Sequence, residues 1–397
     1  MASAKLAIRV LNNVSANGLA RLPPERYMVG SKDVAEPDAI VLRSADLHGV
    51  EIPASVRAIA RAGAGTNNIP VAAMSARGVP VFNAPGANAN AVKELVLAGM
   101  LIAARQLAPA LRFVEKLDVN APELETTIEN GKKAFAGYEI AGQVLGIVGL
   151  GRIGCLVADA AIKLGMQVLG YDPDITVDAA WSLPSQVKRA GSVAEVLKSA
   201  QFVTLHVPLV AATRGLVGAG NIGLLKPGAV LLNFSRDGVA DNDAVRAALD
   251  ANTLGAYICD FPGPTLHDHP RVVALPHLGA STREAEENCA VMVIDQLRGY
   301  LEHGEVVHAV NFPAVQMARE SPWRVAIANA NVPNMLGQIS TTMAQAGLNI
   351  HNMVNKSRGE MAYTLVDVDS AVGPAVLAAL SAIPGVLAVR YLPDEHR

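Results

Sequence analysis

The chain is short of cysteine, of aromatic residues and of runs of either charge, and each shortage removes a class of explanation. Its three cysteines, Cys155, Cys259 and Cys289, are odd in number, scattered and without metal-ligand spacing. They exclude a disulfide framework, leave no metal site to expect, and read as buried thiols of a reducing compartment. A formal charge of −3 with no basic run argues against nucleic acid or anionic membrane as partners. Residues 1 to 15 start directly on an apolar strand pattern, Leu6 to Leu11, without the charged start and cleavage site of a secretory signal. The longest apolar run, Leu95 to Ala104, is too short to span a bilayer and is closed by Arg105. A cytoplasmic protein is expected. Aromatics are only 4% of the residues, while Ala, Val, Leu and Gly dominate, a composition suited to parallel strands buried under helices on both faces.

What the sequence does have is organised around Val144 to Gly154, VLGIVGLGRIG. The apolar Val144, Leu145, Ile147 and Val148 run into Gly149, Gly151 and Gly154, and small and apolar residues follow to Gly165. Strand, tight turn and helix is the reading, with glycines for the turn, for approach of a pyrophosphate, and for close helix packing. A second strand, Met166 to Tyr171, ends in Asp172, at the spacing where an acidic residue takes ribose hydroxyls. A carboxylate there repels a 2′-phosphate and no arginine follows at once, so the expected cofactor is NAD and not NADP.

With 397 residues, two or three domains are expected. Residues 1–90 with 293–313 read as one α/β domain, 91–292 as the dinucleotide-binding domain, 314–322 as a polar linker and 323–397 as a compact βαββαβ unit. In the first domain, Arg43 and Ser44 close one strand, and Arg61, Gly63 and Gly65 form a glycine-rich turn after the next. Arginines at two successive strand ends point to anion binding, because ligands gather at the carboxyl ends of parallel strands. In the second domain, strand ends are followed in turn by Asp172, by His206 and Pro208, by Phe234, Ser235 and Arg236, by Asp260, and by His277. Five successive ends therefore carry polar or special residues to one edge of the sheet. Hydride transfer from a hydroxy acid needs a cation for the carboxylate and a base for the hydroxyl proton. Arg236 offers the bidentate fork, and His277 offers an imidazole, the side-chain type suited to exchanging a proton under physiological conditions.

These motifs together resemble the D-isomer-specific 2-hydroxyacid dehydrogenases. The likeness covers nearly the whole chain: RAGAGTNNI, NAPGANAN, VLGIVGLGRIG with Asp172, LHVPL at 205 to 209, LKPGAVLLNFSRDG at 225 to 238, Asp260, and PHLGAST at 276 to 282. It implies a doubly wound NAD domain, a flavodoxin-like substrate domain and a C-terminal module similar to the small-molecule-binding ACT unit. It implies oxidation of a D-2-hydroxy acid, and the motifs match best the branch that oxidises 3-phosphoglycerate at the opening of serine synthesis. By that resemblance Arg152 and Ile153 meet the cofactor behind the glycines, and Phe234, Ser235, Asp260, His277, Gly279 and Ala280 surround the nicotinamide. Arg43, Ser44, Arg61, Gly63 and Asn88 surround the substrate's phosphate and carboxylate. Asn331 and Asn349 fall where relatives bind serine as feedback inhibitor, and a homodimer or homotetramer is implied.

Four departures from the family pattern stand out. The glutamate that in relatives orients the catalytic histidine is missing from FPGPTLHDHP, where Thr265 stands near its position. Loss of that charge lowers the basicity of His277 unless Asp268 or another group replaces it. Lys93 stands where small residues are usual, and either enters the site to share acid-base or phosphate-binding work or lies along its helix with the ammonium in water. Asp237 and Asn329 likewise stand where relatives carry glycine and histidine. Two alternatives stay open: a glyoxylate or hydroxypyruvate reductase, and an NAD-sensing corepressor-like binding protein.

Overall fold

Alternating apolar strands and helices joined by glycine turns produce two units in the computed structural model, which describes residues 5–31 and 33–394. One unit joins Met1–Asn88 to Arg283–Arg397, and the other is Ala89–Thr282.

The first unit begins with β1 (Leu6–Leu11), α1 (Ala16–Leu19), β2 (Tyr27–Gly30), β3 (Ala39–Leu42), β4 (Ala58–Arg61), α2 (Val71–Ala76) and β5 (Val81–Phe82). The strands form a parallel sheet in the order β2-β1-β3-β4-β5, the flavodoxin-like order expected. β3 is buried throughout because both faces are covered.

The second unit holds α3 (Ala89–Ala104), α4 (Leu107–Glu115), α5 (Leu124–Gly131), β6 (Val144–Val148), α6 (Arg152–Lys163), β7 (Gln167–Tyr171), α7 (Val177–Ser182), β8 (Lys188–Arg189), α8 (Val193–Ser199), β9 (Phe202–Leu205), β10 (Ala229–Asn233), α9 (Asn242–Asp250), β11 (Leu254–Cys259) and β12 (Val272–Ala274). Its seven parallel strands run in the order β12-β11-β10-β9-β6-β7-β8. α8 and α9 cover one face and α3 and α6 the other, so the sheet is doubly wound. The strand order reverses between β6 and β9, which is where such sheets bind ligands.

The chain returns to the first unit through α10 (Arg283–His303), followed by β13 (Trp323–Ala330), α11 (Met335–Gln345), β14 (Ile350–Arg358), β15 (Met361–Val368), α12 (Pro374–Ser381) and β16 (Val386–Pro393). The antiparallel order β14-β15-β13-β16 is that of the expected βαββαβ sandwich. α11 and α12 cover one face of this sheet over Val325, Ile327 and Val366. The other face, with Ala326, Ala328, Tyr363 and Leu365, joins the core that α10 forms with the first sheet.

Two expectations about boundaries change. α10 is one continuous helix whose Cys289, Ala290, Val293, Ile294 and Leu297 are buried in the first sheet's core, so the crossing falls at 282/283 and not at 292/293. The stretch 314–322, expected as a polar linker, is a packed strap: Val315 and Met317 are buried in the same core and Val315 bridges Val306. Beside it, the fully buried Arg324 makes a two-point ion pair with Asp367 at 2.6 and 2.9 Å and also donates to the carbonyls of His303 and Ala318. Asp367 accepts in addition from the Glu320 N–H. Helix, strap and module are thereby fastened at one point. Among the described residues no helix is long and apolar enough to cross a membrane.

Candidate active site

The glycine turn has the shape that a dinucleotide needs. Gly149 sits at φ +95°, in the left-handed region, and a Cβ on it would stand 2.5 Å from the His206 carbonyl oxygen. A Cβ on Gly154 would stand 2.1 Å from the Gly149 carbonyl oxygen, so the third glycine is what lets α6 close on the turn. A Cβ on Gly151 would meet nothing within 4 Å. The first and third glycines are therefore required by the protein itself, whereas the second faces open space at the start of α6. The first bond of α6 runs from Cys155 N–H to the Gly151 carbonyl at 3.0 Å, which leaves the preceding N–H groups, Arg152 and Ile153 included, outside the helix ladder. Asp172 lies beside them, its carboxylate accepting from Leu150 N–H at 2.8 Å and from Asp174 N–H at 3.0 Å. These residues fit NAD.

His206 follows β9 across the reversal point and donates its backbone N–H to Val148 at 2.7 Å. Its Nε2 meets Thr204 Oγ1 at 3.0 Å, while its Nδ1 is buried without a partner. Burial pushes its pKa down to about 4, so the ring is neutral at pH 7. Pro208 begins the exposed loop that follows.

Three neighbouring strand ends carry the acid-base and carboxylate-binding candidates. β10, β11 and β12 lie side by side, and backbone bonds continue the ladder past their ends: Asp260 N–H to Asn233, Leu275 N–H to Cys259, and His277 N–H to Asp260. Arg236 and His277 therefore belong to the same sheet edge. Arg236 is exposed, and its Nη1 donates to the adjacent Ser235 carbonyl at 2.7 Å. His277 is exposed at φ +57°, a strained position for a non-glycine residue, with its ring 5.2 Å from that of Phe261. Two residues hold these loops. Asp260 is buried, and its two oxygens accept from Leu278 and Gly279 N–H, each at 2.7 Å. Its carboxylate, expected against the nicotinamide, instead ties down the segment after His277. Asn233, which the sequence reading passed over, accepts from Ser235 Oγ at 2.8 Å and donates to the Arg236 carbonyl at 3.0 Å. A polar residue ending the otherwise apolar AVLLN was the available signal.

Other expectations are corrected or narrowed. The Phe234 side chain is buried under α3, 3.2 Å from where a Gly99 Cβ would stand, and packs against the sheet. Asp268 pairs with Arg246 at 2.8 Å, which holds its carboxyl below the usual range, and does not replace the missing glutamate. Thr265 contributes its carbonyl to the same arginine. Lys93, on the first turns of α3, has a side chain only 19% exposed, with Nζ 3.7 Å from Glu94. Val92 beside it lies 3.4 Å from where a Gly279 Cβ would stand, which brings this part of α3 up to the segment of Gly279 and Ala280.

In the first unit, Arg43 follows β3 and Arg61 ends the adjacent β4, and the register of the two strands pairs Leu42 with Arg61. Asn68 joins the two loops, accepting from Arg61 Nε at 2.9 Å and donating to the Ala45 carbonyl at 2.6 Å. Gly63 lies beside this arginine: a Cβ there would stand 2.5 Å from Arg61 Nη1, the far end of a side chain that could shift. Ser44 is exposed beside Arg43, and Asn88 is partly buried at the end of the segment.

The C-terminal module contains a cavity of about 220 Å³ lined by Asn329, Asn331, Asn334 and Asn355 among others. Asn329 Oδ1 is buried there without a partner. Asn349, expected with Asn331, does not line this cavity, and its backbone pairs with Asp369 instead.

Known proteins are similar to this chain. Residues 97–279 match the D-isomer specific 2-hydroxyacid dehydrogenase, NAD binding domain. A D-3-phosphoglycerate dehydrogenase of Haemophilus influenzae is 33% identical over 83% of this chain and 79% of its own length. One from Methanocaldococcus jannaschii is 32% identical over 91% of this chain and 67% of its own. Among solved structures, the TT0316 protein of Thermus thermophilus superposes with a TM-score of 0.63 at 26% identity, over 77% of this chain and all of its own. The fold alone is shared with an NAD+-bound 3-phosphoglycerate dehydrogenase of Entamoeba histolytica, TM-score 0.61 at 24% identity, over 77% of this chain and 99% of that one. The chain belongs to the D-isomer specific 2-hydroxyacid dehydrogenase family and carries its NAD-binding domain.

Proposed function

We propose that the protein catalyses the NAD-dependent oxidation of D-3-phosphoglycerate to 3-phosphohydroxypyruvate, the first step of L-serine synthesis. The observation that carries this reading is the identity, over most of the chain, with relatives named for that activity. The placement of Arg236 and His277 on one sheet edge supports it. Bound NAD supplies the hydride acceptor for the hydrogen on carbon 2.

The chain's own residues do the rest. Arg152 and Ile153 offer N–H groups to the pyrophosphate, and Asp172 takes the ribose hydroxyls. Arg236 grips the substrate carboxylate and polarises the reacting C–O bond. His277 accepts the hydroxyl proton as that bond becomes a carbonyl. Arg43 and Arg61, with Ser44, Gly63 and Asn88, bind the phosphate. Among the described residues no carboxylate pairs with the His277 ring, and Lys93 is largely covered near the same segment. Lys93 is therefore assigned a share of the acid-base work.

NADH formation measured with D-3-phosphoglycerate, D-glycerate and D-lactate offered separately tests the reading. Turnover with the phosphorylated acid supports it; turnover only with an unphosphorylated acid, or none, overturns it. pH–rate profiles of Lys93→Ala and His277→Ala then apportion the acid-base role, and an unchanged Lys93→Ala profile removes Lys93 from it. We assign to the same proposal L-serine as effector at the asparagine-lined cavity of 323–397, tested by calorimetry and by a serine inhibition curve. A homodimer closing over the exposed Leu107, Leu111 and Val114 of α4 completes it, tested by light scattering. α4 buries none of its residues within the chain.

A further inference from the structure

The phosphate-binding role given to Arg43 leaves one of its contacts unexplained. Its Nη1 lies 2.6 Å from Glu286 Oε1, a carboxylate on the first turn of α10. The pair is only partly shielded, with side chains 29% and 41% exposed, so it is too weak to be a fastening of the fold. The tight fastenings of α10 are elsewhere, in its buried apolar face and at the Arg324–Asp367 pair. Around the buried thiol of Cys289, which burial pushes up to about 11, the fields of Arg43, Arg61 and Glu286 all converge, the arginines acting downward and the glutamate upward. Two guanidiniums and one carboxylate therefore share a single locality at the carboxyl ends of β3 and β4.

We propose that Glu286 is an internal competitor for the substrate's anionic group, occupying Arg43 until phosphate displaces it. This rests on the assignment of Arg43 to phosphate binding. A carboxylate carries one charge on two oxygens, whereas a phosphate monoester dianion offers three oxygens and twice the charge, so it can displace the tethered glutamate. The displaced glutamate stays nearby and repels the bound dianion. It thus sets how tightly the substrate and product anions are held. A merely structural role makes the opposite prediction, since loss of the partner would leave Arg43 misplaced and weaken binding.

The test is Glu286→Gln, Arg43→Ala and the double variant in the full-length enzyme. KM for D-3-phosphoglycerate and the competitive inhibition constant of inorganic phosphate are measured for each, with far-UV circular dichroism to confirm folding. Glu286→Gln lowers both constants by about 3- to 10-fold, the scale of one nearby like charge in a partly solvated site. On the Arg43→Ala background the same change moves them by less than about 2-fold, as expected where the contested partner is gone. If Arg43→Ala raises both constants but Glu286→Gln leaves them unchanged or raises them, the competitor role falls and the phosphate site stands. If Arg43→Ala alters neither, the assignment of Arg43 falls and the competitor role with it.

Discussion

Gly151→Ala separates what the dinucleotide turn does for the protein from what it does for the cofactor. In most glycine-rich turns an alanine both strains the fold and blocks the ligand, so lost binding cannot be told from lost structure. Here the two are resolved by position. Gly151 has φ −72° and ψ −165°, ordinary for an L-residue, and an added Cβ would meet no atom within 4 Å. The substitution removes unfolded-chain entropy worth about 0.4–1 kcal/mol. It also replaces a tolerated helix cap by a poor one, at a cost of about 0.5–1 kcal/mol. These offset, and stability without cofactor stays within about 1 kcal/mol of the parent. The methyl group nevertheless stands where the pyrophosphate must approach backbone, and NAD affinity falls by at least about 100-fold, roughly 2.7 kcal/mol. Gly154→Ala is the control, since its Cβ would lie 2.1 Å from a backbone oxygen and must displace α6 from the turn. That variant loses stability by about 3 kcal/mol or more, with or without cofactor. Urea unfolding without NAD, paired with calorimetric NAD titration, reads both quantities. A Gly151→Ala protein that binds NAD normally, or that is as unstable as Gly154→Ala, refutes the reasoning.

Further outcomes follow from the loops and the buried charges. Asp260→Asn turns one acceptor of the Leu278 and Gly279 N–H groups into a donor, so stability falls by about 1.5–3 kcal/mol. Because those bonds hold the segment carrying His277, kcat falls by about 100-fold with NAD affinity less affected; wild-type kcat would show that the loop needs no such anchor. Arg324→Met strands the fully buried Asp367 carboxylate and costs about 3–5 kcal/mol by chemical denaturation. The double change Arg324→Met with Asp367→Leu recovers most of that loss, and equal costs for both would argue against a buried-charge origin. His206 binds its proton more weakly in the folded state, about 4, than its ordinary value of 6.5. Between those values the unfolded chain holds more protons, so the stability this group contributes is complete above pH 6.5 and is lost as pH falls towards 4, by up to about 3 kcal/mol. Urea unfolding at pH 7, 5.5 and 4.5 shows that slope, and His206→Gln flattens it; an unchanged slope would place its origin elsewhere.

The parts of the fold that were legible in the sequence are those governed by local pattern. Phe202–Leu205, Ala229–Asn233 and Met361–Val368 form strands whose bounds follow the sequence, because each is a short apolar run stopped by turn residues or a polar end. β2 and β8 were not anticipated: YMVG and KR are short, lie at sheet edges, and have too few residues to show a period. The strap at 314–322 is concealed in the sequence for a related reason. Only alternate residues of it are buried, and Val315 and Met317 count for little among the polar residues around them.

For the site, the sequence supplied residue types but not their hydrogen-bond partners, and the partners decide the roles. Asp260 and His277 look alike as polar residues at strand ends, yet one is buried with both oxygens engaged and the other is exposed in a left-handed conformation. An engaged buried carboxylate shapes the loop, while an exposed and strained imidazole fits the proton-accepting role proposed for it. The same distinction separates Asp268, held by Arg246, from the glutamate that it was a candidate to replace. On the proposed assignment, with Asp268 committed there and no carboxylate at 264 or 265, the positive charge that develops on His277 is left to solvent, or the proton goes to Lys93 in its neutral amine form. Activity of His277→Ala then discriminates: a loss of about 100-fold or more assigns the proton to the imidazole, while a small loss accompanied by a large one in Lys93→Ala assigns it to the Lys93 side chain acting as a neutral amine.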